Sequence, residues 1–255
     1  MTTESRPARF ITIGFSHYCE KARWALDLAR VPYVEDAHVP ILHWRSSWGA
    51  GGGRTVPVLV TPNDGVLKES TEILKWADRH GLGLYPEDPE RRAQVEQWVA
   101  RFDAEVGPSA RRIVYCTLFK GPTAFVDQLM RSTATPFERR ILPVALPLVR
   151  GAIRRGLGIS DEGARRSEAK LEKIVAEVEA LLADGRSYLV GDTFSAADLT
   201  FAALTSPMVM PPAYAAPLPP ESEAPEGFRA LVEAWRARPA GKWVTRLYAR
   251  HRTPA

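Results

Sequence analysis

Residues Phe10 to Leu28 constrain this chain more than any other stretch. Phe10-Ile11-Thr12-Ile13-Gly14-Phe15 is short, apolar and β-branched, and reads as a buried strand. Ala22, Ala25, Leu26 and Ala29 then recur at helical spacing with charges between them, which reads as an amphipathic helix. Ser16-His17-Tyr18-Cys19 joins the two in a tight turn. Ser16 stands at the helix mouth, facing unpaired backbone N–H groups and the positive end of the helix dipole. That position suits a bound anion, including a thiolate, and it equally suits a plain N-cap.

The 255-residue chain has room for one large domain or two small ones. A formal net charge of +4 is a small excess for this length, so a nucleic-acid partner is not expected. No run of about 18 apolar residues occurs, so no membrane span is expected. The two cysteines, Cys19 and Cys116, lie far apart and form no metal-ligand pair with His. No metal is expected, and a reducing, cytoplasmic setting fits this cysteine usage.

Residues 1–8 read as a disordered lead-in. After the first strand and helix, residues 31–39 suit a second strand, parallel to the first through a right-handed crossover. Residues 43–54 contain four glycines within Gly49–Gly53 and read as a flexible loop. No Gly-Lys-Ser/Thr follows, so the loop is not a phosphate cradle. Thr55–Val60 is a strand whose Pro57 must sit at its start or edge. Asp64-Gly65 marks a hairpin turn into Val66-Leu67-Lys68. Glu69-Ser70 opens a helix stopped by Gly81.

Ser-x-x-Cys at the first helix mouth, Val56-Pro57 opening the third strand and Glu69-Ser70 opening the last helix come in a meaningful order. Together they resemble the glutathione-binding, thioredoxin-like domain of the glutathione transferase family. The resemblance implies an α/β thioredoxin-like N-terminal domain over residues 9–82 and an all-α C-terminal domain over 89–250. It implies a cis Val56–Pro57 bond, backbone pairing of this segment with the cysteinyl part of glutathione, and capture of the γ-glutamyl end by Glu69 and Ser70. Ser16 stands where related proteins carry a reactive cysteine, as in the serine-type transferases, where the hydroxyl donates to the glutathione sulfur. Glutathione is then the co-substrate and a small apolar electrophile its target. The family also implies a homodimer that buries part of residues 66–105.

The C-terminal half reads as helices alone. A long helix from Pro89 to about Thr117 should kink at Gly107-Pro108. Residues 122–159 hold one or two helices broken by Pro136, Pro143 and Pro147. Asp161–Ala183 is a clean amphipathic helix. Ser195 with Asp198 forms a capping box that resembles a structural segment of the family. Residues 120–160 and the Pro-rich stretch 207–225 match nothing in the family pattern.

Several residues compete for chemical roles. Cys19 is the alternative nucleophile, which would make the chain a thiol–disulfide transferase, although Ser16 leaves it no dithiol partner. His17 is a candidate base or an exposed turn residue. Arg54, His43 and Arg45 are candidates for the glycyl carboxylate of glutathione. Tyr115, Leu118 and Phe119 line a second-substrate site or simply pack the core. The Arg111-Arg112, Arg139-Arg140, Arg154-Arg155 and Arg165-Arg166 pairs read as solvated faces. A non-catalytic glutathione- or protein-binding module on the same fold remains the alternative to an enzyme.

Overall fold

Phe10 and Ile11 are both fully buried, so strand β1 (Ala8–Thr12) is covered on each face and must lie inside a sheet. A computed structural model describes residues 6–252 and shows that sheet. Strand β1 pairs in parallel with β2 (Tyr33–Ala37), across helix α1 (His17–Leu28). On its other side β1 pairs antiparallel with β3 (Val58–Val60), which pairs antiparallel with β4 (Val66–Leu67). The order is β2-β1-β3-β4. Gly65, at a φ of +77°, lets the β3–β4 hairpin close, and its carbonyl accepts from the Thr61 backbone and hydroxyl. Helix α2 (His43–Gly49) lies between β2 and β3, and α3 (Ser70–Asp78) follows β4. This is the expected thioredoxin-like arrangement, and the Val56–Pro57 bond is cis.

From Pro89 onward the described residues are helices and their connections: α4 (Pro89–Arg101), α5 (Gly107–Leu118), α6 (Thr123–Ser132), α7 (Pro136–Gly156), α8 (Asp161–Leu182), α9 (Ala196–Val209), α10 (Glu226–Ala237) and α11 (Pro239–His251). Helix α9 is buried along nearly its whole length and packs on α1, α4, α5 and α11. Its start is held by Asp198, whose carboxylate accepts from the Leu189 N–H at 2.8 Å, the Ser195 N–H at 2.8 Å and the Ser195 hydroxyl at 2.6 Å. Burial nonetheless pushes the Asp198 carboxyl up to about 6.

Five sequence expectations are corrected. Ala8 pairs with Tyr33 and opens β1, so the lead-in is shorter than residues 1–8, and residues 1–5 lie outside the described part. Residues 43–54 are not a free loop: α2 occupies most of them, and its side chains hold the carbonyls of the glycine turn. Ser47 Oγ donates to Gly53 O at 2.7 Å, and Trp44 Nε1 donates to Arg54 O at 3.1 Å. Helix α1 is not amphipathic, because Glu20, Lys21 and Arg23 are buried with its alanines. The helix from Pro89 does not merely kink at Gly107-Pro108. A π-helical turn, Phe102–Val106, interrupts it just before, where Pro108 has no N–H for the carbonyl four residues back. Pro143 and Pro147 do not break α7 either: they sit four residues apart on its exposed side, where water can serve the carbonyls they leave unpaired.

Helix α7 begins with Thr135 as N-cap and a reciprocal bond from Glu138. The Glu138 carboxylate also reaches His38, just after β2. His38 Nδ1 lies 2.8 Å from Glu138 Oε1, and Nε2 lies 3.0 Å from Asp36 Oδ1. The bond to Glu138 and the two negative charges raise the His38 pKa above its ordinary 6.5, against its partial burial. Because the folded value is raised, the stabilisation is complete below the unfolded value and is lost as pH rises through the folded one. Urea unfolding of wild-type and His38→Gln chains between about pH 5 and 9 checks this. The wild-type advantage should be greatest at the acid end and shrink above the folded pKa, whereas a pH-independent difference contradicts it.

Candidate functional site

Backbone geometry sets Ser16. It adopts an extended conformation, φ −73° and ψ 127°, as N-cap of α1, and its side chain makes no capping bond. Its N–H donates to Ile13 O at 2.8 Å, and its carbonyl accepts from the Glu20 N–H at 2.8 Å. The hydroxyl is therefore not consumed as a cap. It faces a cleft of about 580 Å³ that also borders Val56, Arg54 and His43.

The other expected site residues divide in three ways. His43 touches the cleft but is committed inside the protein: its Nδ1 accepts from the Ile41 N–H at 3.1 Å, and its Nε2 lies 2.9 Å from Arg54 O. Burial lowers its pKa, so His43 builds the Arg54 segment rather than offering a charge. Arg54 is exposed, with its guanidinium 5.5 Å from the Trp44 ring centre. Pro57 is buried behind Val56; Glu69 and Ser70, at the start of α3, fall outside the cleft lining, as does Arg45. Cys19 lies one turn into α1 and is fully buried. Burial pushes its thiol up to about 12, although Arg23 and hydrogen bonds from Ile13 and Ser16 pull the other way.

His17 is not the exposed turn residue the sequence suggested. It is 4% exposed, its Nε2 has no hydrogen-bond partner among the described residues, and burial with help from Arg111 lowers its pKa to about 3. It is neutral at physiological pH. Tyr18 beside it donates to Asp103 O at 2.8 Å, in the π-helical turn. Lys21, one helical turn on, places Nζ 2.8 Å from both Asp103 carboxylate oxygens and 2.5 Å from Thr71 Oγ1 of α3. These bonds tie α1, α3 and the α4–α5 junction together beneath Ser16.

The far wall comes from segments that the sequence left unread. Helix α6 contributes Phe125 and Leu129, α7 contributes Ile153, and the stretch after α9 contributes Met210 and Tyr214. Tyr214 Oη donates to Phe15 O at 3.0 Å, which fastens this stretch to the turn before Ser16. Helix α5 presents Arg111, Val114, Tyr115 and Leu118. Their i, i+3, i+4, i+7 spacing is the signal that marks this face. Tyr115 and Leu118 were recognised as wall candidates, while Phe119 does not border the cleft. The Arg111-Arg112 pair is not a solvated face: Arg112 donates to Leu157 O at 3.0 Å and Ser167 Oγ at 2.7 Å, and Arg111 borders the cleft.

Gly107 allows α5 to approach Tyr18, since a Cβ there would sit 2.2 Å from Tyr18 Oη. Gly107→Ala should destabilise the protein by about 1–3 kcal/mol through overpacking, against a helix-propensity gain of about 1 kcal/mol. Thermal unfolding checks this, and adding Tyr18→Phe should recover part of the loss. An unchanged Gly107→Ala protein contradicts the close-approach account.

Comparison with known proteins agrees with this fold. A family model for the glutathione S-transferase N-terminal domain matches residues 10–81. One for the glutathione S-transferase C-terminal domain matches residues 161–240. No curated protein sequence matches the chain. Among solved structures, glutathione S-transferase-I bound with lactoylglutathione is similar at 20% identity and a TM-score of 0.57, covering 95% of this chain and 100% of that one. Glutathione transferase F2 from Populus trichocarpa gives 17% identity and a TM-score of 0.56, covering 95% and 99%. The theta class glutathione S-transferase from the citrus canker pathogen Xanthomonas axonopodis pv. citri, with glutathione bound, gives 18% and 0.55, covering 98% and 99%. At such identities the likeness is one of fold, but the two family models together take in more than half of the sequence, and the chain belongs to the glutathione S-transferase family.

Proposed function

We propose that this protein binds glutathione with its sulfur at the mouth of α1 and activates the thiol for attack on a small, largely apolar electrophile. The observation that carries this reading is one cleft that joins the Ser16 hydroxyl, which makes no capping bond, and Val56 to an apolar helical wall. The Val56 backbone binds the cysteinyl part of glutathione. Glu69 and Ser70 hold the γ-glutamyl end, and Arg54 the glycyl carboxylate. The Ser16 O–H donates to the sulfur. A free thiol has a pKa of about 8.5. A donor aimed at its anion, together with the positive end of α1, lowers that value and raises the thiolate fraction. Ser16 thus stabilises the nucleophile without becoming covalent.

Cys19 fits the alternative nucleophile poorly. With its thiol at about 12 and no path to solvent, it is un-ionised near neutral pH.

Ser16→Ala should leave glutathione affinity nearly unchanged, because the other groups supply most of the binding. Turnover near neutral pH should fall by about 10- to 150-fold, the equivalent of a lost charge-assisted hydrogen bond of about 1.5–3 kcal/mol. The loss should shrink as pH rises toward the pKa of the free thiol. Calorimetric titration with glutathione, alongside rates with a generic aryl halide, checks this, and Cys19→Ala should retain activity. Inactive Cys19→Ala with active Ser16→Ala would overturn the assignment.

The same reading takes the protein as a cytoplasmic homodimer that buries part of residues 66–105. Sedimentation at micromolar concentration should show about twice the 28.3 kDa chain mass, and a monomer would count against it.

A further inference from the structure

Arg111 has no hydrogen bond or ion pair among the described residues, although it is half-buried in a cleft wall. Its neighbour Arg112 is bonded to Leu157 and Ser167. The Tyr18 ring lies beside Arg111, its centre 5.9 Å from the guanidinium carbon. The residues lining the cleft include no Asp or Glu. Neither adjacent tyrosine supplies a counter-charge: burial raises the pKa of Tyr18, and it raises that of Tyr115 to about 12. His17 is neutral and adds no competing cation. A guanidinium partly withdrawn from water without a counter-ion is costly, and a ligand's acid group removes that cost.

The surroundings limit what such a ligand can be. Beyond Arg111 along the α5 face come Val114, Tyr115 and Leu118, and Phe125 and Ile153 face the same space. The helical wall of the cleft therefore offers one positive charge, Arg111 beside the Tyr18 ring, and apolar surface along the rest of that face. Arg54, the other arginine bordering the cleft, belongs to the thioredoxin-like wall and stacks over Trp44.

We propose that the electrophile taken by this cleft is an apolar organic acid, and that Arg111 selects it by a bidentate bond to its carboxylate or sulfonate. This rests on the reading of the cleft as the electrophile side of a glutathione transferase, but its test needs no thiol.

The probes are 4-chloro-3-nitrobenzoate and its uncharged isostere 4-chloro-3-nitrobenzamide, titrated calorimetrically into the full chain without glutathione. The benzoate should bind at least about tenfold more tightly than the amide, as expected for a charge-assisted bond. Arg111→Gln should bring the two to parity while leaving the amide's affinity unchanged. Arg111→Lys should keep part of the preference. Equal affinities in wild type, no binding of either probe at millimolar concentration, or an equal loss of both probes in Arg111→Gln would overturn the proposal. So would a preference that disappears with Arg54 rather than Arg111. A chain that fails to bind glutathione but keeps an Arg111-dependent preference would refute the thiol reading and support the acid site.

Discussion

Helix α1 carries three charges within about one turn, Glu20, Lys21 and Arg23, into the interior, and the rest of the structure is arranged to meet them. Lys21 is fully buried, and desolvation lowers its pKa against the pull of Asp103. Its ammonium draws the π-helical turn and α3 onto α1. On another side Arg23 bonds to Glu20 at 2.8 Å and to Glu35 of β2 at 2.5 Å. Glu20 in turn accepts from Arg252 at 2.9 Å, and Arg252 also reaches Asp27 at 2.7 Å. Buried ion pairs add little net stability compared with apolar packing of the same shape, but breaking one leaves a charge stranded. The network thus favours this one placement of α1 over alternatives, and with it the placement of the Ser16 turn.

That same burial separates the two groups that could compete for thiol chemistry. Ser16 and Cys19 are three residues apart, on a helix that starts at the cleft and runs into the core. The hydroxyl stays at the opening, whereas the thiol is driven toward its neutral form. A hydroxyl needs no ionisation to donate a bond, so it suits a position where the charge belongs to the ligand. The helix end favours an anion at its mouth and gives far less help one turn inside.

The sheet and the Ser16 turn were legible because local rules wrote them. β-Branched runs, the Asp64-Gly65 turn and Val56-Pro57 each constrain the backbone within a few residues. The charges of α1 misled for the same reason: alternation of Lys and Glu with Ala is the pattern of a solvated face, and only partners as distant as Asp103 and Arg252 turn it inward. The helical wall was illegible in a different way. Pro143 and Pro147 read locally as breakers, yet a four-residue spacing lets both sit on the side of α7 that faces water. Residues 207–225 carry no periodic pattern, and their place at the cleft is fixed by single bonds such as Tyr214 to Phe15. Arg111 was hidden by its neighbour, since a pair of arginines on a helix gives no sign that one is bonded within and the other faces a cavity.

The bond between Arg252 and Glu20 joins residues 232 positions apart. Chains are made from the N-terminus at about 5–20 residues per second, so roughly 10–50 s pass between the synthesis of the two partners. Throughout that interval the Oε1 atom of Glu20 lacks the guanidinium it has in the finished fold, and the Trp24 indole lacks the His251 carbonyl it donates to at 3.0 Å. The sheet pairs residues that all lie within the first 67, but the helix that carries the Ser16 turn has contacts to residues 251 and 252. The contacts that close over the helix carrying Ser16 therefore wait on residues made long after it, although every residue proposed to hold the thiol belongs to the first third of the sequence.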